Sequence, residues 1–208
     1  SLHSALERIK KNKIDNVIIE ASSHGLDQKR IDHLNLKAAL FTNFSHDHLD
    51  YHKTMKSYLN AKLRLFKKIL PKRRIIISDK QNKQYPILKK IAAKKKQRLI
   101  DINSLEEKLT KIKNLKFNEF QIKNLSMAIA SAKLCNLKEK KIFNSLDKIK
   151  NVNGRLELIR IFPNNVKTFV DFAHTPDALI KSLEALKNSF GNNISIVFGC
   201  GGDRDYKK

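Results

Sequence analysis

The eleven residues Thr42-Asn43-Phe44-Ser45-His46-Asp47-His48-Leu49-Asp50-Tyr51-His52 constrain this chain more than any other stretch. Three histidines and two aspartates fall within the seven positions from His46 to His52. The apolar run Ala38-Ala39-Leu40-Phe41 comes directly before them. Such a run, bounded by polar turn residues, reads as a buried strand of an α/β sheet. The ligand-rich segment then lies past the carboxyl end of that strand, where open α/β sheets bind their ligands.

A helix is expected from Thr54 to Leu70. Met55, Tyr58, Leu59, Leu63, Leu65, Phe66, Ile69 and Leu70 form one stripe at helical spacing, and Lys56, Asn60, Arg64, Lys67 and Lys68 fall on the other side. Lys62 sits near the middle of the apolar stripe and is the one charge there. Two readings stand. The side chain can snorkel, carrying its ammonium out past the stripe. It can instead turn inward toward a site, where desolvation makes the neutral amine available for chemistry. A carbamate formed from that amine and CO2 would be an anionic oxygen ligand suited to Mg²⁺.

At 208 residues the chain can hold one large domain or one and a half ordinary ones, and 41% apolar residues permit a core. No apolar run approaches membrane-spanning length, and the first residues lack a signal-peptide layout. Cys135 and Cys200 give neither a disulfide framework nor a zinc spacing, and fit a reducing cytoplasm. The net charge of +23 suggests nucleic acid at first sight. Much of it, however, lies in lysine runs on solvated faces, aromatics are 7% and tryptophan is absent. Lysine, asparagine and isoleucine are abundant together, as a compositional bias would make them. A basic nucleic-acid-binding α/β module is therefore the alternative reading, and no nucleic-acid partner is expected.

Along the chain, Leu2 to Lys13 reads as an amphipathic helix, and Asp15 to Glu20 as a buried strand ending in an acid. An apolar strand capped by a carboxylate is a layout that holds Mg²⁺ or its waters in phosphoryl-transfer ATPases. Ala21 to Leu26 reads as a polar turn, with His24 a turn residue. Ile75-Ile76-Ile77 and Arg98 to Asp101 read as strands, Tyr85 to Lys95 as a helix, and Ser104 to Lys113 as polar and peripheral. Helices follow from Phe120 to about Leu134 and from Lys138 to Ile149. Alternating strands and helices predict a largely parallel sheet. A boundary is expected at Asn151 to Arg155, where Gly154 permits a hinge, giving units 1–153 and 154–208. In the second unit, Leu156 to Phe162 and Val166 to Phe172 form a hairpin. Asp177 to Phe190 is a helix with Pro176 at its first turn. Ile194 to Phe198 is a strand feeding the Gly199-Cys200-Gly201-Gly202 loop.

His46-x-His48-x-Asp50 begins a dinuclear zinc pattern of metallo-hydrolases, but Tyr51 displaces the next histidine by one position, so its ligands would point elsewhere. The six glycines stand at 25, 154, 191, 199, 201 and 202, and none begins a Walker A loop. The Glu-capped strand, the histidine segment and the stripe lysine nonetheless occur in a sensible order for a Mg²⁺ site.

Five segments carry a resemblance to the Mur ligases: Glu20-Ala-Ser-Ser-His-Gly-Leu26, Thr42 to His52, Tyr58-Leu-Asn-Ala-Lys-Leu-Arg-Leu-Phe66, Gly154-Arg-Leu-Glu157 and Asp171-Phe-Ala-His-Thr-Pro-Asp177. The terminal Phe198-Gly-Cys-Gly-Gly-Asp-Arg-Asp205 is a sixth. Within the family they look most like the member that adds the third amino acid of the peptidoglycan stem peptide. The resemblance implies an α/β fold: part of a three-layer, mostly parallel-sheet ATPase domain, then the start of a Rossmann-like C-terminal ligase domain. It implies ATP and Mg²⁺ as cofactors, a UDP-MurNAc-dipeptide and an amino acid (diaminopimelate or lysine, with diaminopimelate the guess) as partners, and a cytoplasmic monomer. By motif, Glu20, His48 and a carbamylated Lys62 would hold Mg²⁺, with Lys62, His48 and Arg155 catalytic. Asn124, Arg155, Asp171 and His174 would contact the nucleotide. Folylpolyglutamate synthase has a similar architecture but fits the His46 to His52 segment poorly. Glu119 replaces the glycine that the family places before the Phe-Gln-x-x-Asn segment. The chain is expected to be a piece of the enzyme, inactive alone, without the Walker A loop.

Overall fold

The computed structural model describes residues 2–112, 117–150 and 152–199. The first unit opens with α1 (Leu2–Lys11) and the five-residue α2 (Ser23–Asp27), then β1 (Ala38–Phe41). Next come α3 (Leu49–His52), α4 (Met55–Arg64), β2 (Ile75–Ser78), α5 (Tyr85–Lys95) and β3 (Arg98–Asp101). α6 (Asn103–Thr110), α7 (Glu119–Leu134) and α8 (Glu139–Phe143) complete it. The second unit holds β4 (Glu157–Ile161), β5 (Lys167–Val170) and α9 (Pro176–Phe190).

β1, β2 and β3 pair in parallel in that order, with Ala39 opposite Ile76 and Ile76 opposite Leu99. The period of two in a strand sends neighbours to opposite faces. Ala39, Phe41, Ile76 and Leu99 join one core with α2, α4 and α5, around Leu63, Phe66, Leu70 and Leu88. Leu40, Ile77 and Ile100 join the other, with α6 and α7, around Ile102, Leu109, Ile122 and Ile129. Helices thus cover both faces, which makes three layers.

α4 continues through a π-helical turn, Leu65–Ile69, closed by the Leu70 N–H donating to the Leu65 carbonyl at 2.7 Å. The Lys95 ammonium donates to the carbonyls of Phe66, Lys67 and Leu70 and so fills the acceptors that this wider turn leaves open. The helix expected over Thr54 to Leu70 therefore forms, with one irregular turn at its end.

Besides the turn expected at Ala21 to Leu26, most of which folds into α2, and the helix expected over Lys138 to Ile149, in which α8 ends at Phe143 and a separate 3-10 turn follows, three expectations need correction. Asp15 to Glu20 enters neither sheet, and Ile18 is 84% exposed. An apolar run becomes a strand only when it gains a ladder and a covered face, and this one has neither. Ile194 to Phe198 is likewise unpaired, with Val197 and Phe198 exposed. Ser104 to Lys113, read as peripheral, lies largely within α6, whose Leu105 and Leu109 are buried one turn apart. Lys113 itself, like the glycine loop from Cys200 onward, is outside the described residues.

The expected hairpin is present, with Phe162 and Val166 closing its turn and Asn165 in the left-handed region at φ 62°. Among the described residues, no helix is long and apolar enough to cross a membrane.

Candidate active site

The candidate site is built on the loop after β1, flanked by α2 and α4. Ser22 caps α2 by accepting the Gly25 N–H at 3.1 Å, which orients His24. The His24 ring meets His48 edge-on at 4.9 Å between centroids, and lies 4.3 Å from Tyr51 and 5.4 Å from His52. His24 is thus more than the turn residue its sequence setting suggests. His52 is buried, its Nε2 is 3.0 Å from the Ser23 hydroxyl, and its ring stacks on Tyr58 at 5.3 Å. Burial lowers its pKa below the usual histidine value, and the neighbouring His24 adds to that.

Lys62 is turned inward. Its ammonium lies 5.2 Å from the Tyr58 ring centroid, 5.7 Å from that of Phe41 and 5.9 Å from that of Phe44, and donates to the Asn43 carbonyl at 2.9 Å. Burial lowers the pKa of the amine, and the Asp47 carboxylate opposes the shift. Of the two readings of the stripe lysine, the inward one describes this side chain. The aromatic wall explains it: three ring faces attract a cation that a purely aliphatic stripe would expel.

His48 stands at the N-cap of α3 in the left-handed region, φ 54°. Its backbone N–H donates to Asp47 at 2.8 Å, and its Nε2 is 3.5 Å from the other Asp47 oxygen. That same oxygen is 3.8 Å from Nε2 of His174, in the turn between β5 and α9. The structure thus brings His48, Lys62 and His174 around Asp47, a residue to which sequence reasoning gave no role although it lies inside the motif. Tyr58, shared by His48, His52 and Lys62, was read only as part of the apolar stripe.

Glu20 is exposed in the unpaired segment before α2. Asn124 is exposed in the second turn of α7. The start of that helix is tied to the sheet by Lys123, which reaches Asp79 after β2 at 3.2 Å and Glu119 at 3.3 Å. Glu119, the departure from the family pattern, is therefore one half of an i,i+4 pair. Asp171 accepts the N–H groups of Leu156 at 2.8 Å and Ala173 at 2.7 Å, so its carboxylate braces the turn beside the hairpin. Arg155 is exposed, its guanidinium 5.6 Å over the Phe172 ring.

Among the described residues, no three His, Cys, Asp or Glu side chains converge as a metal cage. Mg²⁺ prefers oxygen donors. A bare amine at Lys62 supplies none, whereas its carbamate would, and the desolvated setting of that amine suits the conversion. In donor chemistry alone, the carboxylate of Glu20 and a carbamate at Lys62 are of the kind the ion accepts.

Sequence models of two families match the chain: the Mur ligase middle domain over residues 1–151, and the Mur ligase glutamate ligase domain over residues 154–208. A protein of Rickettsia bellii (strain RML369-C), named UDP-N-acetylmuramoyl-L-alanyl-D-glutamate--2,6-diaminopimelate ligase, is 38% identical over 100% of this chain and 48% of its own length. A protein of the same name from Rhizobium meliloti (strain 1021) is 33% identical over 100% of the chain and 47% of its own. The chain therefore spans about half the length of the curated relatives it matches. Among solved structures, MurF from Acinetobacter baumannii superposes with a TM-score of 0.60 at 18% identity, covering 76% of this chain and 38% of that one. A murein peptide ligase, mpl, from Psychrobacter arcticus 273-4 does so at 0.51 and 19%, covering 77% and 36%. Both likenesses concern the fold.

Proposed function

The chain belongs to the Mur ligase family, and from that premise we propose that it forms part of an ATP-dependent ligase. That ligase would join 2,6-diaminopimelate to UDP-N-acetylmuramoyl-L-alanyl-D-glutamate, as the names of its relatives state for them. Residues 1–153 would contribute part of the ATPase domain, and 154–208 the beginning of the ligase domain. Work in the cytoplasm, as a monomer, fits the substrates and the free thiol of Cys135.

The chemistry gives the side chains their roles. A carboxylate is a poor acyl donor. Transfer of a phosphoryl group from ATP to the D-glutamyl carboxylate makes an acyl phosphate, which the amine of the incoming amino acid attacks; phosphate then leaves. Mg²⁺, when bound, would neutralise the phosphate oxygens. On the protein side, Glu20, His48 and the carbamate of Lys62 would hold the ion. Arg155 would meet charge on the transferred group, and Asn124, Asp171 and His174 would orient the nucleotide. The glycine at 154 would let the second unit close and exclude water from the acyl phosphate.

One observation carries this reading: the Lys62 amine is drawn inward over the rings of Phe41, Phe44 and Tyr58, within the influence of the Asp47 carboxylate. The test uses the full-length protein. Phosphate release should require ATP, UDP-MurNAc-L-Ala-D-Glu and diaminopimelate together, with lysine a poor replacement. Lys62→Met should lose more than about 100-fold in kcat. A Lys62→Met enzyme at wild-type rate would remove the role assigned to this amine.

A further inference from the structure

Asp47 occupies the turn between β1 and α3, and its side chain is 17% exposed. One carboxylate oxygen takes the His48 N–H at 2.8 Å and so supports the left-handed backbone of that residue. The other oxygen faces two imidazoles, at 3.5 Å from His48 Nε2 and 3.8 Å from His174 Nε2. In His174, Nδ1 lies 2.9 Å from the Phe172 carbonyl. A carbonyl only accepts, so Nδ1 carries a hydrogen, and Nε2 is the end turned to Asp47. The negative charge of Asp47 also acts on Lys62 and Tyr58. One carboxylate is thus addressed by the loop after β1, by α4 and by the turn of the second unit.

We propose that Asp47 is a positioning residue, which sets His48 and couples the second unit, through His174, to the end of the first unit that holds Lys62. This rests on the reading of His48 and Lys62 given above. An aspartate that serves only as a turn former would accept its neighbour's N–H and do nothing more. Asparagine separates the two roles. Its amide oxygen still accepts the His48 N–H, while the charge facing His174 and Lys62 is gone.

The experiment compares wild type, Asp47→Asn, Asp47→Glu, His174→Gln and the double variant that combines Asp47→Asn with His174→Gln, all in the full-length protein. Asp47→Asn is expected to lower kcat by about 10- to 100-fold, the range for partners that orient a ligand residue, while the KM for ATP moves less and the melting temperature holds. Asp47→Glu should recover part of the loss. His174→Gln should lower kcat as well, and the double variant should be no slower than the slower single one, because both remove the same contact. Amide hydrogen exchange at residues 172–174 should quicken in Asp47→Asn and in His174→Gln. Multiplying losses in the double variant, or unchanged exchange in Asp47→Asn, would overturn the coupling. If the wild-type protein shows no ligase turnover, the functional reading fails, and the exchange rates alone decide whether Asp47 holds His174.

Discussion

Gly154→Ala is the sharpest perturbation that the structure offers. Gly154 has φ +68°, where an L side chain is strained, at about 1–2 kcal/mol. An added Cβ would lie 2.1, 2.4 and 2.9 Å from three carbons of the Phe172 ring. Ordinary contact between carbons begins near 3.5 Å, so the ring must leave. It cannot leave freely, because the Phe172 N–H donates to the Gly154 carbonyl at 2.9 Å and Arg155 lies 5.6 Å over the ring. Turning this largely exposed ring off its rotamer costs about 0.5–1.5 kcal/mol more. The sum, about 1.5–3.5 kcal/mol, corresponds to at least a roughly 10-fold rise in the opening equilibrium of the hairpin. Amide exchange of β4 and β5, measured against β2 as an internal reference, reads that change directly. The second arm places the same substitution in a Phe172→Ala background. Phe172 is 63% exposed, so its loss leaves little unfilled space. There only the backbone strain remains, and Gly154→Ala should cost about 1–2 kcal/mol. Equal costs in the two backgrounds, or a cost under about 1 kcal/mol in the first, would refute the clash.

Phe66→Ala removes a ring that is 1% exposed and lies 5.9 Å from Phe41 under α4. It should cost about 3–5 kcal/mol in denaturant unfolding, because the helix bearing Lys62 loses its floor. Arg64→Met tests an acid-side dependence. Two hydrogen bonds from Arg64, at 2.8 and 2.6 Å, hold the Asp32 pKa below its ordinary value against the desolvation that would raise it. A depressed carboxyl contributes stability that is present above its unfolded pKa, about 3.9, and lost as pH falls through the lower folded value. Unfolding midpoints of the Arg64→Met protein should therefore fall less steeply than wild type below about pH 4; parallel curves would count against the pair.

Where the sequence could be read, a run had a neighbour of matching character. Ile75-Ile76-Ile77 is apolar throughout because β2 lies between β1 and β3 and is covered on both faces. Val17-Ile18-Ile19 has the same composition, yet pairs with neither sheet, because composition records what a segment could bury and not whether anything is there to bury it. α6 failed in the opposite sense. Two leucines four positions apart, Leu105 and Leu109, hold it in the core although the rest of the segment is polar. Lys62 was legible as a choice between two orientations, and the rings of Phe41, Phe44 and Tyr58 make the choice. Asp171 has a structural task that its motif did not announce: its oxygens accept the backbone N–H groups of Leu156 and Ala173.

The histidines divide by what their nitrogens meet. A metal cage needs imidazole nitrogens aimed at one point, but His24, His48 and His52 meet as rings, at centroid distances of 4.9 and 5.4 Å from His24. His52 is committed to the Ser23 hydroxyl and the face of Tyr58, and burial lowers its pKa, which favours the neutral, packing form. That packing fixes Tyr58, and Tyr58 in turn fixes the ammonium of Lys62. The ligand-rich look of the segment therefore comes from two populations: rings that build a wall, and His48, whose Nε2 faces the Asp47 carboxylate. A hard ion such as Mg²⁺ gains little from a histidine cage and much from oxygens held on a rigid wall. The stacked rings make sense as the support that fixes the inward Lys62 ammonium.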